Sequence, residues 1–214
     1  MGKVVVDISM SLDGYVAGPN PTLEEPLGRN GERLHDWVVE LASWRASHGL
    51  EGGEENASSE LMAESIAATG AVVMGRRMFS GGSGSWEDDP KANGWWGDDP
   101  PFRKPVFVVT HHGREPLVLG ETTFAFVGGV EAGLGQARAA AGEKDVLVAG
   151  GASVIQQALG AGLLDELQLN LVPVLLGGGT RLLDNLVPNV ELERTRVLDS
   201  PKVTHVRYRV ARER

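Results

Sequence analysis

Four short apolar runs, at residues 4–10, 71–74, 106–109 and 146–149, set the terms for any fold of this chain, and small or polar turn residues end each one. Brief runs of this kind read as strands covered on both faces, the mark of a parallel sheet layered between helices. Helical patterns lie between them. Leu34, Trp37, Val38, Leu41 and Trp44 recur at i, i+3, i+4 and i+7 spacing, so one helix is expected over about 31–48, with Asn30 as N-cap and Gly49 as its stop. A second is expected over 58–69, with Leu61, Met62 and Ile66 inward and Gly70 after it. A third, over 132–141, is alanine-rich but weakened by Gly133 and Gly135. A fourth follows Gly150-Gly151 and carries Val154, Ile155, Ala158 and Leu159.

The last third changes period. Residues 167–175, 190–198 and 203–210 read as strands with no helix of ordinary length between them, so the sheet is expected to end antiparallel. In the last of these, Val206, Tyr208 and Val210 alternate with His205, Arg207 and Arg209, giving one buried and one wet face. Pro173 points to an edge position or a bulge in the first of them. With no internal repeat or linker, residues 1–214 are expected to form a single α/β domain. Residues 80–104 fit neither helix nor strand and hold Trp86, Trp95 and Trp96. Loops of that length are usually functional or disordered. Three tryptophans argue against disorder, leaving a loop stapled to its own domain level with a pocket wall or a subunit contact.

Charge excludes one class of partner. Twenty Lys and Arg against 29 Asp and Glu give −9 and a pI near 5.1, with no basic cluster, so no nucleic acid is expected. The absence of cysteine excludes disulfides, thiolate metal sites and cysteine nucleophiles. Residues 1–7 lack the apolar core of a signal peptide and no stretch reaches eighteen apolar residues, so a cytoplasmic protein without a membrane partner is expected.

In a parallel sheet, ligands bind beyond the carboxyl ends of the strands. Those ends read Ser11-Leu12-Asp13-Gly14-Tyr15-Val16-Ala17-Gly18, Gly75-Arg76-Arg77-Met78-Phe79, Thr110-His111-His112 and Gly150-Gly151-Ala152-Ser153-Val154, followed later by Leu176-Gly177-Gly178-Gly179-Thr180-Arg181. A diglycine opening a helix aims bare N–H groups and the helix dipole at an anion, and paired arginines supply charge. Taken singly, each has a bland reading: a tight turn at Gly150-Gly151, a solvated pair at Arg76-Arg77, a turn at Asp13-Gly14. His111-His112 lacks metal-ligand spacing, so no metal site is expected. Neither G-x-G-x-x-G nor a P-loop occurs.

As an ordered set, these segments are specific. Together with Val73-Met74, Val108-Val109, Ala149 and the stretch Asp165-Glu166-Leu167 through Pro173 to Leu175-Leu176-Gly177, they resemble the dihydrofolate-reductase-like superfamily. The chain looks most like the branch related to the pyrimidine reductase domain of riboflavin biosynthesis. That resemblance implies a three-layer α/β fold with a central, mostly parallel sheet and antiparallel C-terminal strands. It implies an NADPH-dependent reductase similar to 5-amino-6-(5-phosphoribosylamino)uracil reductase, passing a hydride to a small heterocyclic or sugar-linked molecule. Gly75, Arg76, Arg77, Thr110 and His111 then match positions around the 2′-phosphate and diphosphate. Gly150, Gly151, Ala152, Ser153 and Val154 match the turn under the diphosphate, and Ala17, Gly18 and Ala149 the nicotinamide neighbourhood. Asp13 is the acid the resemblance puts by the acceptor, with a catalytic role and a turn role both open.

Three departures accompany the match. Met78 stands where the family has a hydroxyl, Ile155 where folate reductases have a tyrosine, and none of Glu32, Asp36 or Glu40 matches the folate reductase acid. Alternative readings are a folate reductase proper, or a protein that holds a nucleotide or flavin without turnover. A homodimer is expected, through the last strand's sheet edge or the tryptophan loop.

Overall fold

The computed structural model describes residues 2–186 and 190–211. Its strands are β1 (Val4–Ser11), β2 (Tyr15–Ala17), β3 (Thr69–Gly75), β4 (Pro105–Val109), β5 (Leu117–Leu119), β6 (Thr122–Val127), β7 (Asp145–Gly150), β8 (Glu166–Val172), β9 (Thr180–Arg181), β10 (Leu192–Ser200) and β11 (Val203–Val210). Helices are α1 (Asp36–Val39), α2 (Ala42–Ser47), α3 (Ala57–Ala68), α4 (Arg76–Ser80), α5 (Val130–Ala141) and α6 (Ala152–Gly160), with a 3-10 turn at Gly31–Leu34. The main sheet runs β10-β11-β8-β1-β7-β3-β4-β6-β5. From β8 to β6 every pairing is parallel, and β10, β11 and β5 are antiparallel to their neighbours. This is the mostly parallel α/β sheet with antiparallel C-terminal strands expected from the sequence. β2 and β9 form a separate small ribbon, which the sequence reading missed along with β5 and β6.

One face of the sheet is apolar across its central strands. Val4, Val6 and Met10 of β1, with Leu167 and Leu169 of β8, pack against Leu134 and Ala137 of α5 and Val154, Ile155 and Ala158 of α6. On the opposite face, Val72, Met74, Val106, Val108 and Phe124 carry Phe79 and the half-buried rings of Trp86, Trp96 and Phe102. The tryptophan loop thus folds onto its own sheet, and its end, at Pro101, Phe102 and Lys104, is also a wall of the cavity between the sheet and α1–α3. Next to this patch, the helices before β3 roof β1, β8 and β11, with Leu34, Trp37 and Leu41 packed on Val172 and Val203.

Four expectations need correction. The single helix over 31–48 is three short pieces, because Leu41 turns extended (φ −71°, ψ 139°) and the flanking backbone pairs with Glu54. Its periodicity survives in the inward faces of Leu34, Trp37 and Leu41, while Asn30 makes no side-chain cap. Ile66 is 37% exposed, since α3 spans a hollow and does not lie flat on the sheet. Pro173 falls just after β8, an interior strand, so it marks neither an edge nor a bulge. His205, placed on a wet face by its alternation, is 3% exposed, because the helical roof covers that face of β11, with the Trp37 ring 5.1 Å away and Ser58 in hydrogen-bond contact.

Candidate active site

The parallel register gathers the strand ends. Gly75 pairs with Val109 and Met74 with Gly150, so the start of α4, the 110–112 turn and the diglycine lie side by side. Gly150 has φ +138°, a conformation that side chains resist, and the Gly150–Gly151 peptide is cis. A Cβ at Gly150 would come 3.2 Å from Met78 Sδ, so the methionine in the hydroxyl position packs beneath this turn. Gly75 sits equally close to α6, where a Cβ would lie 3.1 Å from Val154 Cγ2. Ala152 and Val154 are buried, while Gly151 and Ser153 are exposed at the first turn of α6, where backbone N–H groups lack helical partners. Thr110 is buried and its hydroxyl accepts the His112 N–H at 3.1 Å, leaving His111 exposed.

The two arginines part company. Arg77 is exposed. Arg76 is buried: its Nη1 donates to Ser80 Oγ and lies 2.5 Å from Asp89 Oδ2, and its guanidinium stacks 3.4 Å from the Trp86 ring centroid. Burial would raise the Asp89 carboxyl, but the Ser80 hydroxyl, the Lys91 N–H and Arg76 bring it below the usual value. Arg114 stacks on the same indole at 4.8 Å, and Trp86 Nε1 donates to the His112 carbonyl. Arg76 therefore pins the tryptophan loop, and the free guanidinium that the sequence pattern suggested there is found at Arg77. Nε and Nη2 of Arg76 have no hydrogen-bond partner among the described residues.

Asp13 is committed elsewhere. Oδ1 accepts from Ser11 Oγ (2.6 Å) and Leu176 N (3.1 Å), and Oδ2 from Gly177 N (2.7 Å). The Ser11 hydroxyl and these N–H groups, outweighing partial burial, hold its pKa down to about 2. A carboxylate so held ties the β1–β2 turn to the 173–179 segment and carries no proton to give at neutral pH. Ala17 belongs to the β2–β9 ribbon; at Gly18 a Cβ would meet Arg29 O at 2.1 Å, so chain crossing explains that glycine.

Behind this edge lies a cavity of about 280 Å³ between the sheet and α1–α3. Trp37, Trp44 and Phe102 give it aromatic walls, and its floor is polar: Asp7 and Ser9 from β1, Gln168 and Asn170 from β8, His205 from β11. Asn170 Nδ2 donates to Asp7 Oδ1 (2.7 Å), His205 Nδ1 to Asn170 Oδ1 (2.7 Å), and Ser58 Oγ to His205 Nε2 (2.8 Å). Trp37 Nε1 donates to Ser9 Oγ at 3.1 Å, while the buried His35 Nδ1 has no hydrogen-bond partner among the described residues. Burial keeps His205 neutral, its pKa lowered to about 4 with help from Arg196. None of these floor residues was singled out as a site from sequence. The signal was present: Val4, Val6, Ile8 and Met10 alternate with Asp7, Ser9 and Ser11, as Leu167, Leu169 and Leu171 do with Gln168 and Asn170.

Residues 2–206 match the RibD C-terminal domain family. The chain belongs to that family. Solved structures agree on the fold. A candidate riboflavin biosynthesis protein of Shewanella sp. PV-4 superposes with a TM-score of 0.61 at 20% identity, covering 98% of this chain and 99% of that one. A diaminohydroxyphosphoribosylaminopyrimidine deaminase/5-amino-6-(5-phosphoribosylamino)uracil reductase of Thermotoga maritima gives 0.57 at 13% identity, over 98% of this chain and 57% of its own. A pyrimidine reductase-like protein of Corynebacterium diphtheriae gives 0.50 at 15% identity, over 99% and 93%. No curated protein sequence matches the chain.

The family is one of reductases that use a nucleotide cofactor, and the strand ends of this RibD-type domain offer groups suited to an anion. An exposed glycine and serine open α6, with Arg77 and His111 exposed on the neighbouring strand ends. Ala149 lines the cavity and immediately precedes the diglycine, so the strand-end edge and the hollow share a wall.

Proposed function

We propose that this protein is an NADPH-dependent reductase of a small heterocyclic or sugar-linked compound, of the kind that 5-amino-6-(5-phosphoribosylamino)uracil reductases act on. The observation that carries this reading is the shared wall at Ala149, where a polar-floored, aromatic-sided cavity meets the diglycine edge. When bound, the cofactor supplies the hydride. The chain's own part is to hold and orient. The first turn of α6 offers N–H groups to the diphosphate, Arg77 and His111 offer charge and a donor to the 2′-phosphate, and the floor presents hydrogen-bonding groups to a flat polar ring.

Among the described residues no helix is long and apolar enough to cross a membrane. The last strand, β11, is not the edge it was expected to be, since β10 lies outside it; a homodimer through that side of the sheet would use the outer edge of β10, exposed along most of its length, or else the tryptophan loop, and light scattering at micromolar concentration tests it.

NADPH oxidation followed by absorbance, with 5-amino-6-(5-phosphoribosylamino)uracil as acceptor and dihydrofolate as comparison, tests the reductase reading. Turnover with the first and a melting temperature raised more by NADPH than by NADH are expected. A thermal shift with no oxidation of either acceptor would favour the non-catalytic binder.

A further inference from the structure

The cavity floor contains a group that the proposed reaction needs and that the strand-end motifs do not supply. Adding a hydride to a C=N or C=O carbon leaves a pair of electrons on the heteroatom, which must take a proton. Asp13 is spent on backbone N–H groups. Of the described residues that line the cavity, Asp7 is the one acid.

Its placement is favourable. β1 pairs in parallel with β7 as far as Val6 and Val148, and the next residue on each strand is Asp7 and Ala149, the residue before the diglycine. Both line the same hollow. Asp7 lies deep in the fold yet remains half-buried, with its free surface on the cavity wall. One carboxyl oxygen is fixed by Asn170 Nδ2. That amide is itself oriented by His205, whose ring is oriented by Ser58, so three successive donors point along the chain toward Asp7.

Resting on the reductase reading, we infer that Asp7 is the proton donor to the acceptor, with Asn170 and His205 as positioning residues. The Asp7 O–H bond breaks and its proton goes to the substrate nitrogen or oxygen. The hydride from the dihydronicotinamide forms the new C–H bond, and the carboxylate left behind is reprotonated from solvent. Burial favours the proton-bearing form of Asp7, against the Asn170 amide, the Arg207 charge and the Ser65 hydroxyl. The other ionisable groups facing the hollow are His205, His35 and His48 and, from the 101–104 segment, Lys104.

The test compares wild type with Asp7→Asn and Asp7→Glu. Single-turnover hydride transfer from NADPH to 5-amino-6-(5-phosphoribosylamino)uracil is measured across pH, and the Asp7 carboxyl carbon is titrated by NMR. The expected result is a proton on Asp7 at neutral pH and a wild-type rate that falls as pH rises through its titration. Asp7→Asn should keep NADPH binding but slow transfer about a hundredfold or more and lose the pH dependence. Asp7→Glu should recover part of the rate. An Asp7→Asn rate equal to wild type, or a carboxyl already ionised at neutral pH, overturns the assignment. The titration reads the donor whatever the turnover, and a wild type that oxidises no NADPH overturns the reductase reading itself.

Discussion

Arg76 Nη1 and Asp89 Oδ2 stand 2.5 Å apart with 7% and 2% of their side chains exposed, and this pair fastens the tryptophan loop over α4. Removing one member of a buried pair strands the other charge and costs about 3–5 kcal/mol. Asp89→Ala is therefore expected to lower unfolding stability by about that amount in a urea titration. A midpoint that does not move would show the pair to be solvated.

Arg77 and Arg76 should separate in cofactor binding. A charge-assisted contact to phosphate is worth about 1.5–3 kcal/mol, or roughly ten- to hundredfold in affinity. Arg77→Ala should weaken NADPH by that factor and leave NADH nearly unchanged, whereas Arg76→Ala should weaken both together as the loop loosens. Fluorescence titration of each variant with each cofactor decides it. Selective loss of NADPH in Arg76→Ala alone would return the phosphate contact to the buried arginine.

Asp13→Asn should destabilise the protein while leaving the chemistry in place, since the carboxylate binds backbone. Its folded pKa of about 2 lies below the usual value of 3.8, so its contribution is present above that value and disappears as pH falls through about 2. Melting temperatures of wild type and Asp13→Asn should differ at neutral pH and converge under strong acid. A variant with unchanged melting temperature but lost turnover would instead make Asp13 catalytic.

His205 acts in a higher window. Its folded pKa of about 4 lies below the ordinary 6.5, so the unfolded chain takes up a proton that the fold refuses. Its stabilisation is complete above about 6.5 and is lost progressively as pH falls toward 4. Buried His35 shifts the same way, and Asp7, raised, opposes both. Across that interval, the stability of wild type should fall more steeply than that of His205→Gln in matched denaturant titrations. Parallel curves would refute the burial argument.

The sheet was legible because its strands are apolar runs separated by helical periods, and the strand-end segments were legible because their order is specific. What escaped has physical reasons. β5 has only three residues, and β6 opens on Thr122 and Thr123 and so lacks an apolar start, leaving little pattern in either. The break at Leu41 is imposed from a distance by Glu54, which no local propensity records. Arg76 and Arg77 are adjacent and chemically identical, so only the path of residues 81–104 tells which is buried. Asp7 and Ser9 were absorbed into an apolar run because the valines and Met10 around them dominate its composition.

β1 carries two incompatible tasks on alternate residues, Val6 toward the helical core and Asp7 toward the hollow. Sliding that strand by a single residue would push a carboxyl among the aliphatic side chains of α5 and α6 and line the hollow with valine. Misalignment and loss of the pocket would therefore be one event. A short insertion or deletion within residues 4–10 should be among the least tolerated length changes in the protein.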